Sequence, residues 1–261
     1  MDVTLPAATV FYRVVGPGRR WSDVLAGLGA FFGSASGSRY TTLLQKAVYL
    51  STDPIVALTE YAYYEGRRWQ AIVGQTALVH QKGLVPFCTQ PGKRPRLWAF
   101  RLNAPPTIAD VAGNAALQAF GLPPFILFNP SNDFYRPTQE LTIRVYSHNP
   151  AAGAARFQGV QAPSVRTPQF AGGGQPVQQV FLLGPKQTRI QGAPAASWDV
   201  DIEFLDLATQ GSVTAGTSVV EWARPRVRLH PRAGAGGLPG SPCKPAGMAA
   251  GAWERLNVNR V

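Results

Sequence analysis

Cysteine, histidine and acidic side chains are all scarce in this 261-residue sequence, and each scarcity narrows what the chain can be. The two cysteines, Cys88 and Cys243, lie far apart, the second in a Gly/Pro-rich stretch, so neither a disulfide framework nor a zinc-ligand spacing is supported. A reducing compartment fits. The three histidines, His80, His148 and His230, have no metal-ligand spacing and no evident Ser or Cys partner, so each reads as structural or exposed. No uncharged apolar run reaches membrane-spanning length, and the opening MDVTLPAATVFYRVV lacks a basic segment followed by a long apolar one. A chain without membrane association or general export is expected, and with it a cytoplasmic location. Walker and Rossmann glycine patterns are missing as well, although GSASGS at 33–38 is a small-residue loop that lets backbone approach a ligand.

What is present is ample apolar material, 45% of residues, and a strong excess of positive charge. Twenty-five Lys and Arg against fourteen Asp and Glu give +11, which favours an anionic partner: nucleic acid, a phosphorylated small molecule or an acidic protein. The cations gather at Arg67-Arg68, at Lys93 to Arg96, and at Arg224, Arg226, Arg228 and Arg232. No aromatic-rich RNA-binding motif or zinc-finger spacing accompanies them, so a solvated basic surface is the plainer reading and nucleic acid stays open as a partner.

Along the chain, residues 7–15 read as a first strand ended by Gly16-Pro17-Gly18, and Trp21 to Phe32 as a short helix. Ala47 to Ser51 alternates like a half-buried strand, with Ala47, Tyr49 and Ser51 on one face and Val48 and Leu50 on the other. Asp53-Pro54 then marks a helix start, with Asp53 as N-cap and Pro54 at the first helical position, and the helix runs through Ile55 to Tyr64. Trp69 to His80, Gly83 to Phe87 and Leu97 to Leu102 read as strands, and Ile108 to Phe120 as helix on the strength of its alanines. A long irregular connection punctuated by Pro123-Pro124, Asn129-Pro130 and Arg136-Pro137 follows, and Asn149-Pro150 opens a short helix. Val177 to Leu183, Trp198 to Leu207, Thr217 to Trp222 and Arg226 to His230 read as strands. The strand alternation sets Asp199, Asp201 and Glu203 together on what is expected to be a solvated face. From Pro231 to Ala252 the Gly, Pro and Ala content predicts an extended or disordered tail.

Three polar residues stand out by spacing: Arg39, Tyr49 and Glu60 lie ten and then eleven residues apart across the predicted strand-to-helix unit. A fourth, Ser164, closes the strand-like approach QAPSVRT at 161–167. Each has a plain structural reading: Glu60 as a solvated helix carboxylate, Tyr49 as a core-edge ring, Pro163-Ser164 as a turn. Arg13, in the first strand beside Tyr12, reads equally as an anion contact and as half of an ion pair.

The sequences FYRV from Phe11, GSRY from Gly37, AVYLS from Ala47, ALTE from Ala57 and FQGVQAPSVR from Phe157 together resemble the RES domain, which is named for its Arg, Glu and Ser. The likeness fades after about Leu183, and the stretch between Glu60 and Ser164 is long for a compact RES domain. The resemblance implies an α/β (α+β) protein, an ADP-ribosyltransferase-like mixed split sheet with flanking helices and a β-rich C-terminal addition. With the alternation and composition of the last quarter, it divides the chain into a catalytic NAD-binding domain at 1–190, a β-rich extension at 191–230 and a Gly/Pro-rich tail at 231–261. It also implies a bacterial toxin that consumes NAD as substrate, without a metal, by cleaving the nicotinamide–ribose bond, and a cognate antitoxin or immunity protein as partner. Glu60, Ser164 and Arg39 are then the catalytic residues, and Arg39, Tyr49, Arg13, Tyr12 and Ser164 contact NAD. In that reading Glu60 opposes the cationic sugar, Arg39 forks onto phosphate and Tyr49 packs on nicotinamide. The alternatives are an ADP-ribosyltransferase acting on a macromolecule and a basic binding module without catalysis.

Overall fold

The computed structural model describes residues 2–24, 40, 46–72, 94–112, 135–147, 157–169, 173–183, 191–206, 220–232 and 251–258. These form ten strands, β1 (Asp2–Thr4), β2 (Val10–Val15), β3 (Lys46–Leu50), β4 (Arg96–Leu102), β5 (Thr107–Asp110), β6 (Gly159–Pro163), β7 (Val177–Leu183), β8 (Gly192–Asp206), β9 (Val220–Pro231) and β10 (Glu254–Arg255). Three helices accompany them: α1 (Trp21–Val24), α2 (Pro54–Ile72) and α3 (Tyr135–Ser147). None of these helices is long and apolar enough to cross a membrane.

The strands assemble into two five-stranded sheets. The first runs β1-β5-β6-β7-β3 and is mixed, β5 and β6 being parallel; the second runs β10-β9-β8-β4-β2 and is antiparallel throughout. Alternation along each strand sends one set of side chains between the sheets and the other outward. Phe11, Trp98 and Phe100 of the second sheet meet Val48, Leu50, Ile108 and Phe181 of the first in the layer between them. On the outer face of the second sheet, Tyr12, Leu97, Val200, Ile202 and Val227 pack against Leu58, Ala62 and Tyr63 of α2. On the outer face of the first sheet, Ala47, Val160, Ala162 and Val180 cover Leu141 and Val145 of α3. Close packing has one strict requirement: a Cβ built on Gly159 would lie 2.4 Å from the Val180 carbonyl oxygen, so β6 can meet β7 there only through glycine.

The strands expected at 47–51, 97–102 and 177–183 are present almost as drawn, and Asp53 caps α2 as its sequence implies, accepting a hydrogen bond from the Ile55 amide at 2.7 Å. Several other expectations are corrected. Residues 7 and 8 lie in a turn closed by the Thr9 amide on the Pro6 carbonyl, and the edge strand β1 precedes it. Residues 69–72 continue α2 instead of opening a strand, because a capped helix propagates at one hydrogen bond per residue until something stops it. Ile108 to Asp110 is strand, not helix: pairing with β1 and β6 decides these residues, Ala109 included, over the helix preference of the alanines. Arg136-Pro137 lies in the first turn of α3, where proline's missing N–H leaves no hydrogen bond unmade. The two strands expected within 217–230 are one, β9. The remainder of the helix expected at 21–32, the strand at 83–87 and the helix after Asn149-Pro150 up to 156 lie outside the described residues.

The described residues after 190 pair with strands of the body. β8 sits in the middle of the second sheet, between β9 and β4, and the chain end returns to add β10 at its edge. Within the segment expected as a tail, Leu256 is 3% exposed and joins Val258 in the cluster beneath α2, while Trp253 stacks on Arg226 and Arg228. A few large side chains suffice to tie down a Gly/Pro-rich approach when they find an apolar seat. Leu256→Ala is therefore expected to lower unfolding stability by about 2–3 kcal/mol in a denaturant titration. An unchanged midpoint would show that the chain end contributes nothing to the core.

Candidate active site

The seam between the two sheets positions the polar residues. β3 ends at Leu50, and the next residue, Ser51, exchanges backbone hydrogen bonds with Tyr12 of β2 at 2.6 and 3.0 Å, joining first sheet to second. The Ser51 hydroxyl donates to the Val177 carbonyl at 3.2 Å and accepts from the Asp53 amide at 3.0 Å, so the entry to α2 is held from both sides. From that anchored start Glu60 lies about two turns along α2, half-buried.

Ser164 follows the last residue of β6, with its amide on the Pro176 carbonyl at 2.9 Å. Its hydroxyl donates to Glu60 Oε1 at 2.6 Å, a short contact of the charge-assisted kind. Thr167 Oγ1 lies 3.0 Å from Ser164 Oγ. A serine has one hydroxyl hydrogen, and with that hydrogen committed to Glu60 the threonine must donate to the serine. Thr167, Ser164 and Glu60 thus form a directed chain, with Ser164 and Thr167 buried.

Tyr49 joins the same neighbourhood through Tyr40. The Tyr40 amide donates to Tyr49 Oη at 3.3 Å, and the Tyr40 hydroxyl donates to the Pro163 carbonyl at 3.4 Å, one residue before Ser164. Tyr40 is next in sequence to Arg39, which itself lies outside the described residues. Tyr12 turns its ring toward α2, into the cluster with Leu58, Ala62 and Tyr63. Arg13, its neighbour, takes the opposite face of β2 and is buried, its guanidinium donating to the Val24 carbonyl. Burial pushes the Arg13 pKa down to about 10, which still leaves it charged at neutral pH. The two arrangements read from the sequence, phosphate contact and ion pair, are joined by this third one, a carbonyl clasp.

Three residues of this region were not singled out from sequence: Tyr40, Thr167 and Arg166. Thr167 and Arg166 stand within the QAPSVRT segment, but nothing in a single sequence marks a threonine three residues after a serine as its donor. Arg166 lies over the Tyr63 ring, with its guanidinium carbon 3.7 Å from the ring centre.

A second polar cluster occupies β8 and β9, and it corrects the expectation of a solvated acidic face. Asp201 is 0% exposed, and its carboxylate meets Arg94 Nε at 2.6 Å, Arg228 Nη2 at 2.7 Å and His230 Nε2 at 2.6 Å. Burial acts to raise its pKa, but hydrogen bonds from His230, Arg228 and Arg94 outweigh that and hold the carboxyl below the usual range. Asp199 pairs with Arg96 and Arg232 at 3.4 and 3.1 Å, and Glu203 with Arg226. Alternation was the right guide to which residues share a face; the cations supplied by β4 and β9 are what close over it.

Fold and site together define a class: a two-sheet α+β protein whose polar centre is a helix glutamate held by a serine at the end of a strand. The RES-domain family model matches residues 10–203, three quarters of the chain and every residue of that centre, and the chain belongs to the RES-domain family. The match continues past Leu183 into β8, as far as residue 203. Among solved structures, the crystal structure of the M. tuberculosis MbcT–MbcA toxin–antitoxin complex is similar at 17% identity, with a TM-score of 0.38 over 71% of this chain and 82% of that one. A search of the curated proteins finds no match.

Proposed function

We propose that this RES-domain chain consumes NAD by cleaving the bond between nicotinamide and ribose, as RES-domain toxins do. The observation that carries the reading is the 2.6 Å hydrogen bond from Ser164 to Glu60, which brings together the family's serine and glutamate across the 104 residues that separate them. When the C1′–N bond breaks, its electron pair leaves with nicotinamide, which departs neutral, and the ribose carries positive charge. A carboxylate fixed in advance beside that carbon opposes the charge without reorganising. Glu60 is that carboxylate, Ser164 its positioning partner and Thr167 the donor that orients the serine. An oxygen of water or phosphate then bonds to C1′, the water losing a proton, to give ADP-ribose or its 1″-phosphate.

In this reading Tyr49 packs on the nicotinamide and Arg39 holds phosphate. Tyr12 and Arg13 border the NAD site from β2, Tyr12 by its contact with α2 and Arg13 from the layer behind. A cognate antitoxin or immunity protein restrains the enzyme, and the +11 net charge favours an acidic contact region on it. The chain acts in the cytoplasm, where NAD is available.

Incubating the purified protein with NAD and following nicotinamide by chromatography tests the reading. Release of nicotinamide is expected, and none over hours at micromolar enzyme would overturn it. The second product separates hydrolysis, phosphorolysis and transfer of ADP-ribose to a macromolecule. Ser164→Ala is expected to slow release by about 10-fold or more, since one hydrogen bond to a charged group is worth about 1.5 kcal/mol or above. Unaltered turnover in that variant would remove Ser164 from the site.

A further inference from the structure

Two residues beyond Ser164, Arg166 is 2% exposed, and its Nη1 has no hydrogen-bond partner among the described residues. Its one recorded contact is with the Tyr63 ring, and among the described residues no carboxylate pairs with it. This is an unusual state for arginine. A guanidinium cannot shed its charge in a protein, and burying one without a counter-anion is costly. The ring face recovers only part of that cost. Arg94, Arg96, Arg226, Arg228 and Arg232 each have a carboxylate facing them. Arg166, in the turn after β6, has none among the described residues.

The position of that open donor is informative. Tyr63 follows Glu60 by three residues on α2, one helical turn, and so shares its side of the helix. Ser164 clips the 164–167 turn onto Glu60, and Arg166 clips it onto Tyr63. Arg166 therefore shares with Ser164 the turn that meets the Glu60 side of α2. A ribose whose C1′ sits at Glu60 carries its phosphate on the 5′ oxygen, at the far side of the same ring, and an acceptor phosphate would approach C1′ itself. In both cases phosphate has to be held near the carboxylate.

We propose that Arg166 is a phosphate-contacting residue of this site, its Nη1 donating to a phosphate oxyanion of the bound ligand. The inference rests on the NAD reading for which phosphate is meant, and the shared chemistry has two sources, the diphosphate of the dinucleotide and free phosphate as acceptor. A planar fork suits either.

Calorimetric titration of inorganic phosphate, pyrophosphate and ADP-ribose into the full chain and into Arg166→Met tests it, with thermal melting to establish that the variant is folded. The variant is expected to bind at least one probe about 10-fold or more weakly. Loss confined to pyrophosphate and ADP-ribose assigns the dinucleotide diphosphate, and loss of inorganic phosphate assigns the acceptor. Should Arg166→Met fail to fold, Arg166→Lys carries the test, because it keeps the charge over Tyr63 and loses the fork; weakening by several-fold is then expected. A folded variant that binds all three probes like the parent, or a parent that binds none, overturns the proposal. The two readings fail separately: nicotinamide release with unchanged probe binding removes Arg166 alone, whereas weakened probe binding without any nicotinamide release removes the NAD chemistry and leaves the phosphate contact.

Discussion

Glu60→Gln is expected to lower nicotinamide release by about 10²-fold or more with little change in melting temperature. The exchange keeps the size of the side chain, and the amide oxygen still accepts from Ser164, so the turn at 164–167 stays clipped to α2. What is lost is the full negative charge facing a sugar that becomes cationic only as the bond breaks. The loss should therefore fall on kcat more than on KM, because an interaction that strengthens in the transition state contributes little to binding the ground state. Glu60 is half-buried, and a group in that setting tolerates the amide without leaving a charge stranded. Near-normal turnover in a folded Glu60→Gln protein would show that the glutamate holds structure and does not face the chemistry.

Replacing Asp201 by Asn is expected to cost about 3–5 kcal/mol of folding stability, the largest effect expected of any single substitution away from the site. The carboxylate is fully buried and is the common partner of Arg94, Arg228 and His230, so its neutralisation leaves cations facing one another across β4, β8 and β9. Its hydrogen bonds hold the folded-state pKa below the value of an unfolded aspartate, about 3.9. The sign of the linkage follows: Asp201 contributes fully above that unfolded value, and its contribution disappears as pH falls through the lower folded value. Denaturant titrations across the acid range should show the parent losing stability there and Asp201→Asn losing less. Parallel acid limbs for the two proteins would mean that the depressed carboxyl is not Asp201.

Wherever a neighbour along the chain decides the outcome, the sequence was sufficient. Asp53 and Pro54 started α2 because capping needs only a side chain and an amide two residues away, and the alternation at 47–51 assigned Tyr49 and Val48 to opposite faces because strand geometry has a period of two. The resemblance to the RES domain named Glu60 and Ser164 as candidate site residues. Their contact and the Tyr40 link from Tyr49 to Pro163 belong to the tertiary structure alone, since they join residues from separate strands and turns that only the fold makes adjacent, whereas the Thr167 donor lies in Ser164's own turn. The same holds for two charges, one misread from the sequence and one not singled out there. Asp201 alternates like any solvated carboxylate, and Arg166 looks like any loop arginine; what distinguishes them is burial, with Arg94, Arg228 and His230 closing over the first and none of the described carboxylates facing the second. Burial depends on which surfaces the fold packs together, and for Leu256 and Val258 too, the decisive fact was an apolar seat beneath α2 almost two hundred residues away in sequence, to which no local pattern points.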